Sequence, residues 1–156
     1  MNPGKRFEEK FRLTMEPHAF VLRIPDSVYM QAGHIKSNET EADFIVVTNT
    51  DAFLVECKAT AQKSLKYTNV KEHQESALFD FDGVGEHTHG MLAVEFYDRA
   101  GYRKPHQMFL LPIGEWLEFK ALSDRKSMPI SWFEERGVKL EYRGSAYEFA
   151  GKWFKK

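Results

Sequence analysis

Asp43 opens a short apolar run, Phe44-Ile45-Val46-Val47, while Glu56 and Lys58 close another, Phe53-Leu54-Val55-Glu56-Cys57-Lys58. Two carboxylates and an ammonium converging at one edge of a sheet make a place for a divalent metal, because hard cations take oxygen ligands and a nearby ammonium steadies an anionic reaction centre. The same three residues equally suit a cross-strand salt bridge on a solvated hairpin, where opposite charges are ordinary. Spacing alone divides these readings about evenly.

Both runs are rich in β-branched and aromatic residues, and Asn49-Thr50-Asp51-Ala52 between them has the composition of a turn, so they read as a hairpin. Alternation along the second strand puts Phe53, Val55 and Cys57 on one face, which packs, and Leu54, Glu56 and Lys58 on the other. The chain holds three Glu-x-Lys triplets: Glu8-Glu9-Lys10, Glu56-Cys57-Lys58 and Glu118-Phe119-Lys120. Only the middle one closes an apolar strand preceded by an acid-bearing strand; the others fall in helix-like patterns.

Before the hairpin, Phe7, Phe11 and Met15 recur at four-residue steps from Gly4 to Met15, predicting an amphipathic helix stopped by Pro17. Glu8 flanks that stripe, either aimed along the sheet edge or simply a surface acid. Ala19 to Ile24 reads as a strand with Arg23 at a polar position, suited to a phosphate or a surface salt bridge. Asp26 to Ala42 is a polar, weakly patterned excursion that could form a short arm.

After the hairpin, Ala59 to Lys66 reads as a polar linker bearing Lys63 and Lys66. Asn69 and Glu72 form a capping-box pattern opening a helix with Val70, Ala77, Leu78 and Phe81 along one stripe and His73 and Gln74 in its first turns. Gly83 to Gly90 reads as a solvated loop, since Glu86, His87 and His89 lack a further well-spaced zinc ligand, and Asp80 and Asp82 lack the rest of a calcium loop. Met91 to Tyr97 and Gln107 to Leu111 form a second hairpin around a turn at Asp98 to Gly101. Glu115 to Leu122 is a helix whose Trp116, Leu117 and Phe119 cover the core. Ser131 and Glu134 repeat the capping box with Gly137 as C-cap, Val138 to Tyr142 is a half-buried strand, and residues 151–156 are a frayed end.

With 156 residues, 42% of them hydrophobic, and thirteen Phe, the chain suffices for one good core and one domain. A net charge of -1 gives no global nucleic-acid signature, so a polyanion surface has to come from local Lys and Arg clusters. Cys57 is the only cysteine, which rules out an internal disulfide and reads as a packed thiol in a reducing compartment. No apolar run approaches the ~20 residues of a membrane span, and the expected location is cytoplasmic.

The element order resembles the PD-(D/E)xK nuclease superfamily, and four strings are similar to the RecU-like Holliday junction resolvases: Asn2-Pro3-Gly4-Lys5-Arg6-Phe7-Glu8, Ala42-Asp43-Phe44-Ile45, Val55-Glu56-Cys57-Lys58-Ala59-Thr60 and Glu72-His73-Gln74. Together they span roughly residues 2 to 112. The resemblance implies an α/β, restriction-endonuclease-like core in αβββαβ order, a central mixed β-sheet flanked by helices, with 113–156 as an extension of a single nuclease domain. It implies that Asp43, Glu56 and the Cys57 backbone carbonyl bind Mg²⁺ or Mn²⁺. Lys58 is then the motif lysine that orients water or steadies the phosphate. Glu8 is the first-helix acid, and Gln74 flanks the site. Arg23, Lys63, Lys66 and Lys71 would meet the DNA backbone, and a branched substrate implies a homodimer. The implied activity is an endodeoxyribonuclease that cuts four-way junctions in recombination or phage DNA processing. The alternatives are a nuclease for flapped, nicked or duplex DNA and a non-catalytic DNA-binding module. Ala42 stands where the motif has proline, and the excursion from Asp26 to Ala42 is short for a junction-engaging stalk.

Overall fold

The computed structural model describes residues 2–38, 40–97 and 106–149. The first stripe folds as α1 (Pro3–Met15): Asn2 caps it by accepting the Lys5 N–H at 2.8 Å, Pro3 suits a first-turn position that needs no N–H, and Phe7, Phe11 and Met15 are fully buried. Next come β1 (Phe20–Arg23), the antiparallel pair β2 (Ser27–Gln31) and β3 (His34–Asn38), β4 (Phe44–Val47), β5 (Ala52–Thr60) and β6 (Ser64–Lys66). A 3-10 turn at Tyr67–Asn69 leads into α2 (Glu72–Asp82), followed by β7 (Thr88–Phe96), β8 (Gln107–Pro112), α3 (Ile113–Leu122), β9 (Ser127–Pro129), α4 (Ile130–Arg136), β10 (Val138–Tyr142) and β11 (Tyr147–Glu148).

Seven strands form the main sheet in the order β1-β4-β5-β7-β8-β10-β11. Every neighbouring pair is antiparallel except β5 and β7, which run parallel because α2 carries the chain back between them. Alternation divides β5 as expected. Phe53, Val55 and Cys57 pack in one layer with Phe7, Phe11 and Met15 of α1; Leu54 faces the other layer, with Leu78 of α2, Trp116 of α3 and Phe133 of α4. Gly90 of β7 lies so close to α2 that a Cβ there would overlap the Leu78 backbone.

Several boundaries differ from the sequence reading. The stretch from Asp26 to Ala42 is patterned after all: β2 and β3 form an arm turned at Ala32 and Gly33, both with positive φ (52° and 77°). Ala-Gly hides this turn, whose usual signature is Asn-Gly. The supposed linker is mostly strand, since Ala59 and Thr60 finish β5 while Ser64–Lys66 pairs with β9, a partner invisible to local pattern. Lys71, not Asn69, is the N-cap of α2, because the 3-10 turn consumes Asn69. Ser131 lies inside α4, whose N-cap is Pro129 at the end of β9. The solvated loop is shorter than expected: His89 belongs to β7, is buried, stacks on Phe53 with centroids 4.7 Å apart and lies 2.8 Å from Asp51 Oδ1 through Nε2. The extension past residue 112 completes the sheet, as β10 pairs with β8. The expected turn at Asp98–Gly101 and the tail at 151–156 lie outside the described residues.

Candidate active site

Glu56 lies in the middle of β5, on the face covered by α2, and is 3% exposed. Its Oε1 is held twice, by Lys58 Nζ at 3.0 Å and by Gln74 Nε2 at 3.1 Å. Gln74 cannot turn its amide around, because its own Oε1 accepts the Lys71 N–H at 3.0 Å at the start of α2. Glu56 Oε2 is buried and has no hydrogen-bond partner among the described residues.

Asp43 precedes β4, and extending the register of Phe44 opposite Val55 sets it across from Glu56. Its backbone is clamped on both sides: the Asp43 N–H donates to Val55 O at 3.0 Å, and its carbonyl accepts the Ile24 N–H at 2.8 Å. Its carboxylate then accepts the Cys57 N–H at 2.8 Å through Oδ2. That bond ties the first acid to the strand that carries the second.

The electrostatics are those of acids kept from water. Burial pushes Asp43 up to about 6; the Cys57 N–H opposes the rise and the charge of Glu8 adds to it. Burial, and then the charge of Asp43, push Glu56 up to about 8, with Lys58 opposing. Glu8 reaches toward this pair from α1, its Oε2 2.5 Å from Arg23 Nη2 and 3.3 Å from Lys5 Nζ. Arg23 is thus engaged with Glu8. Lys63, Lys66 and Lys71 are exposed along the path from the end of β5 to the start of α2. The Cys57 thiol is buried on the α1 side, away from Glu56, and burial pushes its pKa up. Only its backbone remains available to the site.

These residues fit a hard divalent cation. A buried carboxylate oxygen with no hydrogen-bond partner among the described residues, next to a second buried carboxylate, is a donor set that a cation would satisfy. Among the described residues no three His, Cys, Asp or Glu side chains gather into a cage. A two-carboxylate site is the pattern of Mg²⁺, which keeps several waters and shares its remaining positions with substrate phosphate.

Sequence reasoning missed what holds α2. Glu75, next to Gln74 and buried, accepts Trp116 Nε1–H at 2.6 Å and Lys120 Nζ at 2.9 and 3.1 Å, fastening α2 to α3. The partners are separated by 41 and 45 residues, too far for any local signal to join them.

One helix under the sheet, an acid before β4, Glu-x-Lys in β5 and a glutamine from the covering helix match the arrangement of the PD-(D/E)xK nuclease superfamily. The chain matches the sequence model of the family Recombination protein U over residues 25–147 and belongs to that family. The match includes α3 to β10, beyond the residue at which the motif resemblance stops, and begins after α1, Glu8 and Arg23. Among solved structures, the chain is similar to Hjc of Archaeoglobus fulgidus, described as a Holliday junction resolvase from an archaeal hyperthermophile. The TM-score is 0.56 at 14% identity, covering 87% of this chain and 95% of that one, which makes the restriction-endonuclease-like fold common to both. No curated protein sequence matches.

Proposed function

We propose that this protein is a Mg²⁺- or Mn²⁺-dependent endodeoxyribonuclease that acts inside the cell as a homodimer and resolves Holliday junctions. The observation that carries the chemistry is the buried Glu56 Oε2, without a hydrogen-bond partner among the described residues, beside Asp43, with Lys58 3.0 Å from the other oxygen of the same carboxylate. Family membership supports a role in recombination, and the fold shared with an archaeal resolvase supports the branched substrate. Among the described residues no helix is long and apolar enough to cross a membrane.

Asp43, Glu56 and the Cys57 carbonyl would hold the cation, which would supply charge neutralisation at the scissile phosphate and a more acidic water. Lys58, fixed by Glu56, presents its ammonium to the attacking water or to the phosphate oxygens as negative charge builds on them. Gln74, locked by the Lys71 N–H, orients the Glu56 carboxylate and the phosphate beside it. Glu8, paired with Arg23 and Lys5, adds a third acid on the α1 side that would assist in holding the cation. Lys63, Lys66 and Lys71 contact the DNA backbone.

The test is cleavage of an end-labelled four-way junction in Mg²⁺ and Mn²⁺ by the wild type, Asp43→Asn and Lys58→Ala. Loss in both variants by several orders of magnitude is expected; full activity in either sinks the assignment. Flapped, nicked and linear substrates of equal sequence separate a resolvase from a general nuclease. Sedimentation checks the dimer, and a monomer at micromolar concentration on the junction counts against it.

A further inference from the structure

We infer that the β6–β9 ribbon is a second phosphate-tracking surface, on which Arg125 and Lys126 join Lys63 and Lys66 to grip one duplex arm leaving the site. This rests on the proposed DNA-cleaving function and adds residues from the C-terminal third of the chain. The ribbon pairs Lys66 with Ser127 and Leu65 with Met128; the Tyr67 N–H donates to Lys126 O at 3.2 Å, and the Ile130 N–H donates to Lys63 O at 3.0 Å. Lys66 on β6, Lys63 just before it, and the Arg125-Lys126 pair just before β9, about sixty residues away in sequence, are thereby brought to one ribbon.

The ribbon is anchored. Leu65 and Met128 are fully buried in the layer that holds Trp116 and Phe133, so the polar side is held outward. Lys63, Lys66, Arg125 and Lys126 are all exposed, and none forms an ion pair among the described residues, in contrast to Lys10, Arg12, Arg23 and Lys120. Asp124 is the acid in the same run, leaving four cations against one acid on a chain whose total is -1. The ribbon is also continuous with the site, since β6 follows the strand of Lys58 and leads through the 3-10 turn to the helix of Gln74, on the same side of the sheet. Exposed, unpaired cations at the two ends of a ribbon next to the proposed site match the charge of a duplex backbone.

The experiment is fluorescence anisotropy with a labelled four-way junction and a linear duplex, in EDTA to prevent cleavage, across a salt series. Each lost phosphate contact lowers the slope of log K against log salt by about one. Arg125→Ala/Lys126→Ala is expected to lower that slope by about two on both DNAs, so that the wild-type advantage shrinks by roughly tenfold between about 50 and about 200 mM salt. Lys139→Ala/Arg143→Ala, which removes equal charge from β10 and the turn after it, is expected to leave the slope unchanged. An unaltered slope in the first variant, or an equal drop in both, overturns the ribbon while leaving the nuclease reading intact. A wild type that binds neither DNA overturns both.

Discussion

Replacing Glu56 by glutamine should stabilise the metal-free protein near neutral pH while abolishing its cleavage. The buried Glu56 titrates near 8 when folded against an ordinary 4.5, so the folded chain holds this proton more tightly than the unfolded one. Stability therefore falls as pH rises from 4.5, and the loss is complete above about 8. At tenfold in proton affinity per about 1.4 kcal/mol, the cost at pH 7 is about 3 kcal/mol. Glutamine keeps an oxygen for Lys58 and Gln74, but puts a buried NH₂ where Oε2 has no partner, which returns about 1 kcal/mol. The net gain is about 2 kcal/mol at pH 7, or about 5 °C in Tm for a domain of this size, and it turns into a loss of about 0.5 kcal/mol at pH 4.5. Urea and thermal unfolding in EDTA at both pH values measure it. A variant no more stable than the wild type at pH 7, or a difference that ignores pH, would refute the burial argument.

Other outcomes follow from the same geometry. Since Glu56 still holds its proton at pH 7, Mg²⁺ binding should release close to one proton per chain, seen as a dependence of calorimetric heat on buffer ionisation enthalpy; binding without proton release contradicts the raised pKa. Trp116→Phe removes one of the donors that fasten Glu75 and should cost about 1–3 kcal/mol in unfolding experiments. It should also lower kcat more than it raises KM, because Gln74 rides on the same turn of α2. Gly90→Ala should cost at least about 3 kcal/mol, since the new methyl overlaps backbone that cannot rotate away; a neutral result on thermal unfolding would mean that α2 and β7 are further apart than described.

Residues that declare themselves through a local period were legible in the sequence. The stripe Phe7, Phe11, Met15 and the alternation from Phe53 to Lys58 gave α1 and β5 with their faces correct, and the site strand order followed. What escaped depends on partners distant in the chain. Ser64–Lys66 becomes a strand only because Ser127–Pro129 lies beside it, and Glu75 acquires meaning only from Trp116 and Lys120. His89 read as a loop residue because its partner, Asp51, is brought close by the parallel β5–β7 pairing. Capping was misplaced where a short turn or a strand end took over the job: the 3-10 turn displaced Asn69, and β9 displaced Ser131. Resemblance to the family points to Gln74, but its orientation depends on the Lys71 N–H at the start of α2, which no local pattern announces.

The claim at the centre is that Asp43 and Glu56 share one cation. A crystal of the protein soaked in Mn²⁺ and measured at the manganese absorption edge tests it directly. One anomalous peak per chain is expected, bounded by the Asp43 carboxylate, Glu56 Oε2 and the Cys57 carbonyl, and it should be lost in Asp43→Asn. Manganese bound elsewhere, or a vacant pair of acids with Lys58 still on Glu56 at saturating metal, would contradict it.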